Sequence, residues 1–151
     1  GLELAQGNVV TCVRRGISVV QADIDKGFDA LPDQSYDYVI LSMTLQAIKK
    51  PELVISEMLR VGKRCVVSFP NFGFWKVRAK TTLLGRAPVT RNLPYAWYVS
   101  PNRHVLSIKD FRDFCGNRNI RIVREIALPG IGARVWPNLL ADEAVFVIAA
   151  K

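Results

Sequence analysis

Glu3, Asp23 and Ser42 each close a short apolar run: "GLE", "ISVVQAD" and "YDYVILS". Polar groups at the ends of buried strands suit ligand binding, because a doubly wound sheet holds its ligand outside the carboxyl ends of its strands. In the nucleotide-binding form of that sheet, an acid closing the second strand accepts hydrogen bonds from two ribose hydroxyls. A carboxylate does this well, since it offers two acceptor oxygens and no donor. The same unit needs a glycine-rich turn about 20 residues earlier, where the backbone must approach the ligand. Counting back that far from Glu3 runs off the sequence. The expectation is one domain over residues 1–151, N-terminally incomplete, without its first strand, glycine-rich loop and first helix.

The elements that would position these residues alternate. A helix is expected over Ala5–Arg15, with Val9, Val10, Cys12 and Val13 on one side and Gly16 ending it. Strands follow at Ile17–Asp23 and Tyr36–Ser42. Pro51 starts a helix to Val61, where its missing N–H costs nothing, and Gly62 closes it. Arg64–Pro70 is the next strand, and "FGFWKVRAKTTLLG" suits a basic amphipathic helix. A long irregular loop rich in proline and aromatics leads to Ser107, which with Asp110 makes a capping-box start for Ile108–Arg118. Ile120–Leu128 and Ala144–Ala150 are the last strands. The stretch between them, "PGIGARVWPNLLADE", has no obvious helix, which favours an antiparallel hairpin at the sheet edge. Strand–helix alternation followed by a hairpin predicts an α/β fold, Rossmann-like and mostly parallel.

The 151 residues carry a net charge of +8, unevenly spread. No acidic residue lies between Glu57 and Asp110, while Arg60, Lys63, Arg64, Lys76, Arg78, Lys80, Arg86, Arg91, Arg103 and Lys109 all fall there. Such a surface attracts nucleic acid, an acidic protein or an anionic ligand, or simply stays solvated. No nucleic-acid signature accompanies the charge. No apolar run is long enough for a transmembrane helix. Cys12, Cys65 and Cys115 are odd in number and widely spaced among apolar neighbours. They read as buried thiols of a cytoplasmic protein, not as disulfides or metal ligands.

The block "VVQADIDKGFDALPDQSYDYVILSMTLQAIKKPELVISEMLRVGKRCVVSFPNFGFWKVR" resembles the MetW family of methionine-biosynthesis proteins, and "LPYAWYVSPNRHVLSIKDFRDFC" continues the likeness. That family is similar to class I S-adenosylmethionine-dependent methyltransferases, with a three-layer fold and a sheet ending in an antiparallel hairpin. The resemblance makes Glu3 the ribose-binding acid, with Leu4 beside the adenine. Asp23 becomes the partner of the adenine amino group and Ile24 an apolar neighbour of the ring. Leu41 and Ser42 would lie near the methionine part of S-adenosylmethionine or S-adenosylhomocysteine. With the glycine loop missing, binding by this chain is expected to be weak or absent.

Whether methyl transfer occurs is left open by the residues. Many small-molecule relatives carry "LHH", then an acid and a proline, after the fourth strand; here the stretch is Leu45-Gln46-Ala47-Ile48-Lys49-Lys50-Pro51. Gln46 cannot take a proton. Phe74 stands where the family commonly has histidine, so a contact there would be apolar. His104, the one histidine, is either a substrate contact or a loop residue fixing the next helix. The resemblance implies another job: support of homoserine O-acyltransferase as its partner. Trp75, Tyr95, Trp97 and Tyr98 lie among basic residues, and aromatics with arginine are usual interface hot spots. They would serve equally as a lid over the cofactor cleft. Three readings stand: an accessory protein of methyltransferase fold, an active small-molecule methyltransferase, and a nucleic-acid-directed one, disfavoured for want of a motif. Self-association is open.

Overall fold

The computed structural model describes residues 1–128 and 132–151. Its elements are β1 (Leu2–Glu3), α1 (Gln6–Arg14), β2 (Val20–Gln21), β3 (Tyr36–Ser42), α2 (Pro51–Val61), β4 (Gly62–Pro70), α3 (Trp75–Leu84), α4 (Ile108–Asn117), β5 (Ile120–Leu128), α5 (Gly132–Val135), α6 (Pro137–Leu140) and β6 (Glu143–Ala150). Two sheets form. β1 and β2 make a parallel pair, and the larger sheet runs β3-β4-β6-β5. Within it β3 and β4 are parallel, with Ser42 opposite Ser68, while β6 runs antiparallel to both β4 and β5. The hairpin edge read from the sequence is therefore present.

One face of the larger sheet makes the core. Cys65, Val67, Phe69, Phe146 and Ile148 pack under Val54, Ile55, Met58 and Val61 of α2 and Ile108, Phe111 and Cys115 of α4. Phe111 sits at the centre, its ring 4.7 Å from that of Phe146 and 5.1 Å from Phe69. Burying side chains of this size stabilises by about 1.5–3 kcal/mol each. Arg60 ties the loop ahead of β3 to α2, donating to the carbonyl oxygens of Phe28 and Leu31 and pairing with Glu57 and Asp33. Glu57 also accepts the Phe28 N–H at 3.0 Å.

Asn71 is the second structural hub. It is 1 % exposed at the end of β4. Its amide donates to the carbonyl oxygens of Asn138 and Ala141, and its Oδ1 accepts from the N–H groups of Gly73 and Ile108. One side chain thus joins β4, the approach to α3, the start of α4 and the end of α6. Gly73 is fixed by the same crowding, because a Cβ there would meet Asn138 backbone and side-chain oxygens at 2.8 Å.

Several expectations are corrected. The strand expected over Ile17–Asp23 is only Val20–Gln21, since β2 has β1 as its sole partner among the described residues. Val10 and Val13 of α1 stay exposed, as does Ile17. Gly62 does close α2, in extended backbone that also begins β4. Positive-φ residues follow three helices: Gly16 after α1, Gly85 after α3 and Asn119 after α4. Between the last two strands stand two short helices, α5 and α6, where none was expected; Pro129–Ile131 of that stretch lie outside the described residues. Cys65 and Cys115 are buried, but Cys12 is only half-buried. On the face away from α2, Tyr36, Tyr38 and Ile40 of β3 are exposed, Ile40 by 68 %.

Candidate functional site

The carboxyl ends of β1, β2 and β3 carry the residues singled out in the sequence. β1 and β2 lie in register, Glu3 opposite Gln21, and the Ala22 N–H donates to the Glu3 carbonyl oxygen. Glu3 therefore closes β1, and Asp23 follows the adjacent parallel β2 by two residues. Oε1 of Glu3 accepts the Ala5 N–H at 2.9 Å. That bond, with help from the Asn8 side chain, holds the carboxyl below the ordinary glutamate range. A carboxylate kept ionised this way retains lone pairs for further donors. Asp23 accepts the Asp25 N–H at 3.0 Å and so caps the short 3-10 turn Ile24–Lys26.

Asp25, which the sequence reading passed over, joins this end to β3. Its Oδ1 accepts from the N–H groups of both Lys49 and Lys50, at 2.9 and 2.8 Å. These donors stand immediately ahead of Pro51, where α2 begins with unpaired N–H groups that need an acceptor. An acid two residues after Asp23 facing a "KKP" helix start was the available signal. The 3-10 turn after β2 and the loop after β3 are thereby held side by side.

At the end of β3, Ser42 Oγ lies 3.5 Å from Ser68 Oγ of β4. The next residue, Met43, has φ of 49°, a left-handed conformation that is strained for a side chain of its kind. It is held there because its N–H donates to both the carbonyl oxygen and Oγ of Ser68. Gln46 follows, 6 % exposed; its amide donates to the Met43 carbonyl oxygen at 2.7 Å. Strained backbone at the ligand-facing end of a strand is where functional sites concentrate.

Between the two sheets runs a cleft of about 740 Å³. Ile24, Leu41 and Ser42 line it, together with Leu2, Val20, Tyr38 and Ile40. Glu3, Leu4 and Asp23 are not among its lining residues, and Leu4 is 63 % exposed. The second group, Trp75, Tyr95, Trp97 and Tyr98, is exposed. Trp97 and Tyr98 meet edge to face at 5.7 Å, and Lys76 stands 5.6 Å over the Trp75 ring. Phe74, by contrast, is buried in a small core with Val77 and Leu93. His104 is apart from these aromatics in role: half-buried, it reaches the loop after β3.

A family model for "Methionine biosynthesis protein MetW" matches residues 1–148 of the chain. The chain belongs to the MetW family. A bifunctional methionine biosynthesis protein, MetXA/MetW of Rhodopirellula baltica, is 38% identical over 151 residues; the match covers 96% of this chain and 24% of that protein. The chain thus spans about a quarter of that relative's length. Solved structures share the fold of this MetW domain. An S-adenosylmethionine-dependent methyltransferase from Mesorhizobium loti is 15% identical, with a TM-score of 0.68, over 98% of this chain and 78% of its own. Magnesium protoporphyrin IX methyltransferase from Synechocystis, solved with bound SAH, is 14% identical with a TM-score of 0.63, over 100% of this chain and 63% of its own. The MetW domain therefore has the class I methyltransferase-like α/β fold. Among the described residues no helix is long and apolar enough to cross a membrane, and no cluster of three metal-ligating side chains occurs.

Proposed function

We propose that this domain binds S-adenosylmethionine or S-adenosylhomocysteine at the carboxyl ends of β1, β2 and β3, and in that form supports a homoserine O-acyltransferase in methionine synthesis. The observation carrying the first part is that Asp25 ties the turn after β2 to the loop after β3, beside a cleft that Ile24, Leu41 and Ser42 line. The donor set fits the cofactor. Glu3, ionised and with acceptor capacity left, takes the ribose hydroxyls; Asp23 takes the adenine amino group beside Leu4 and Ile24. Leu41 and Ser42 adjoin the methionine part. When bound, the cofactor supplies an electrophilic methyl on a sulfonium.

We also infer that a further parallel strand, followed by a glycine-rich turn, lies in the cleft between the sheets. Support comes from the open edge of β3 and the exposure of Tyr38, Ile40 and Val20 beside it, since unpaired backbone groups and bare apolar side chains call for a neighbour.

The partner reading rests on the exposed aromatics within an acid-free, basic stretch. Methyl transfer to a small molecule is the alternative, but no base is supplied at the end of β3: Gln46 is an amide, and its N–H is engaged by Met43.

Calorimetric titration of S-adenosylmethionine and S-adenosylhomocysteine into the full-length protein, wild type and Glu3→Ala, tests the cofactor site. Binding lost in the variant supports it, and equal binding by both refutes the assigned role of Glu3. Co-purification of homoserine O-acyltransferase, compared between wild type and a Trp97→Ala/Tyr98→Ala double variant, tests the partner face. Undiminished capture by the variant would remove that surface from the reading.

A further inference from the structure

The edge of the larger sheet opposite β3 is β5. Among the described residues it is bonded to β6 alone, so the backbone groups along its other side have no strand partner. In an antiparallel ladder alternate residues exchange both their bonds with the neighbour, and those between them turn N–H and C=O outward. The irregularity in the β5–β6 pairing falls between Ile122 and Arg124. From Arg124 opposite Val147 to Leu128 opposite Glu143 the register runs unbroken. Residues 124–128 thus offer about 17 Å of regular edge.

A groove of about 520 Å³ follows that stretch. All of residues 124–128 line it, and so do Arg112 of α4 and Arg134 of α5. Glu125 pairs with Arg112 and Ala127 packs on the core, so these two side chains share the face that α4 covers. Arg124, Ile126 and Leu128 therefore point to the other face. A groove lined by both sets straddles the edge of the strand and does not lie on one face of the sheet.

Three arginines line this groove against one acid. Glu125 holds the Arg112 guanidinium by two hydrogen bonds, of 2.7 and 2.6 Å. Arg124 and Arg134 pair with no carboxylate among the described residues. Val135 and Trp136, which follow Arg134, are exposed, as is Leu128 at the end of the strand. Arginine and tryptophan are frequent interface anchors, and the main-chain groups of an open edge can receive an extended chain. A second copy of this chain suits the edge poorly. Its own β5 would bring Arg121 and Arg124 to the pairing, and like charges across paired strands destabilise.

We propose that an extended acidic segment of a partner protein adds to the larger sheet beside β5. Its backbone pairs with the outward N–H and C=O groups of residues 124–128, and its carboxylates meet Arg124 and Arg134. The inference rests neither on the cofactor reading nor on the aromatic surface around Trp97.

The probe is a short blocked peptide of alternating Glu and Val, titrated into the full-length protein beside its Lys–Val counterpart and followed by residue-resolved hydrogen exchange. The Glu peptide is expected to bind at least about tenfold more tightly than the Lys peptide, as opposite charge at the groove implies. It should also slow exchange of alternate amides within residues 124–128. An Arg124→Glu/Arg134→Glu double variant, altered only at exposed side chains, should weaken the Glu peptide by about tenfold or more with an unchanged melting temperature. The Glu peptide methylated on every backbone nitrogen keeps its charge but cannot donate to the edge, and should not bind. Equal binding by the Lys or the methylated peptide, undiminished binding by the double variant, or unchanged exchange within residues 124–128 would each overturn the proposal. Protection of those amides that rises with protein concentration in the absence of peptide would overturn it too, by giving the edge to a second copy.

Discussion

His104 Nε2 donates to the carbonyl oxygen of Ile48 at 2.9 Å, joining residues 56 apart in the chain. The neighbouring backbone strengthens the link, since the N–H groups of Arg103 and His104 both donate to the Gln46 carbonyl oxygen. The loop after β3 is therefore latched to the segment that leads into α4. Removing the ring leaves those two backbone bonds in place. His104→Ala should cost about 1 kcal/mol, the net worth of one hydrogen bond. Thermal melts compared with His104→Gln, which keeps a donor, check this; equal losses in both variants would assign the cost to packing.

Asn71 should be far less tolerant. Asp in its place puts a carboxylate oxygen against the Asn138 and Ala141 carbonyl oxygens, which now receive two N–H groups. The substitution removes both donors and buries a charge, so Asn71→Asp should lose about 3 kcal/mol or more. Urea unfolding measures it. A loss below about 1 kcal/mol would mean that the junction of β4, α3 and α4 reorganises around the new residue.

Glu57 sets an acid limit on the loop ahead of β3. Its side chain is 15% exposed, and hydrogen bonds from Arg60 first, then from the Phe28 N–H, hold its carboxyl below the ordinary glutamate range. A carboxyl depressed in the folded state contributes stability that is full above its unfolded pKa and fades as pH falls through the folded one. Glu57→Gln should thus destabilise at neutral pH by about 1.5–3 kcal/mol and by progressively less in acid. Parallel melts across the acid range should converge; a constant difference would remove the charge from the explanation.

The thiols should separate by reactivity. Burial pushes Cys65 and Cys115 up to about 11, far from the thiolate form at neutral pH. Cys12 is half-buried on α1. Iodoacetamide under native conditions should modify Cys12 well before the other two, as peptide mass analysis reads. Early modification of Cys65 would show that the core face opens readily.

Elements with local signals were legible from sequence. β3, α2 and β5 fall at their expected bounds, because Pro51 marks one helix start and dense β-branched runs mark the strands. The Ser107–Asp110 capping box is formed as read. What the sequence concealed depends on neighbours. "ISVVQAD" has the composition of a full strand, but only Val20 and Gln21 find a partner. Asp25 resembles any turn acid until Lys49 and Lys50 come round to it. Met43 gives no sign of its left-handed backbone, which is imposed from β4 by Ser68. The exposure of Trp97 and Tyr98 likewise could not be read from residue type alone.

The open edge of β3 has a consequence for isotope exchange. Among the described residues β3 is bonded to β4 on one side only, and in a parallel ladder successive amides point alternately to the two sides. With the cleft open, amides aimed at β4 should keep deuterium out while those between them exchange as freely as in a loop. A strand added at that edge, as proposed above, would silence that alternation. Single-residue exchange rates along Tyr36–Ser42 are thus a label-free gauge of whether the two sheets have become one.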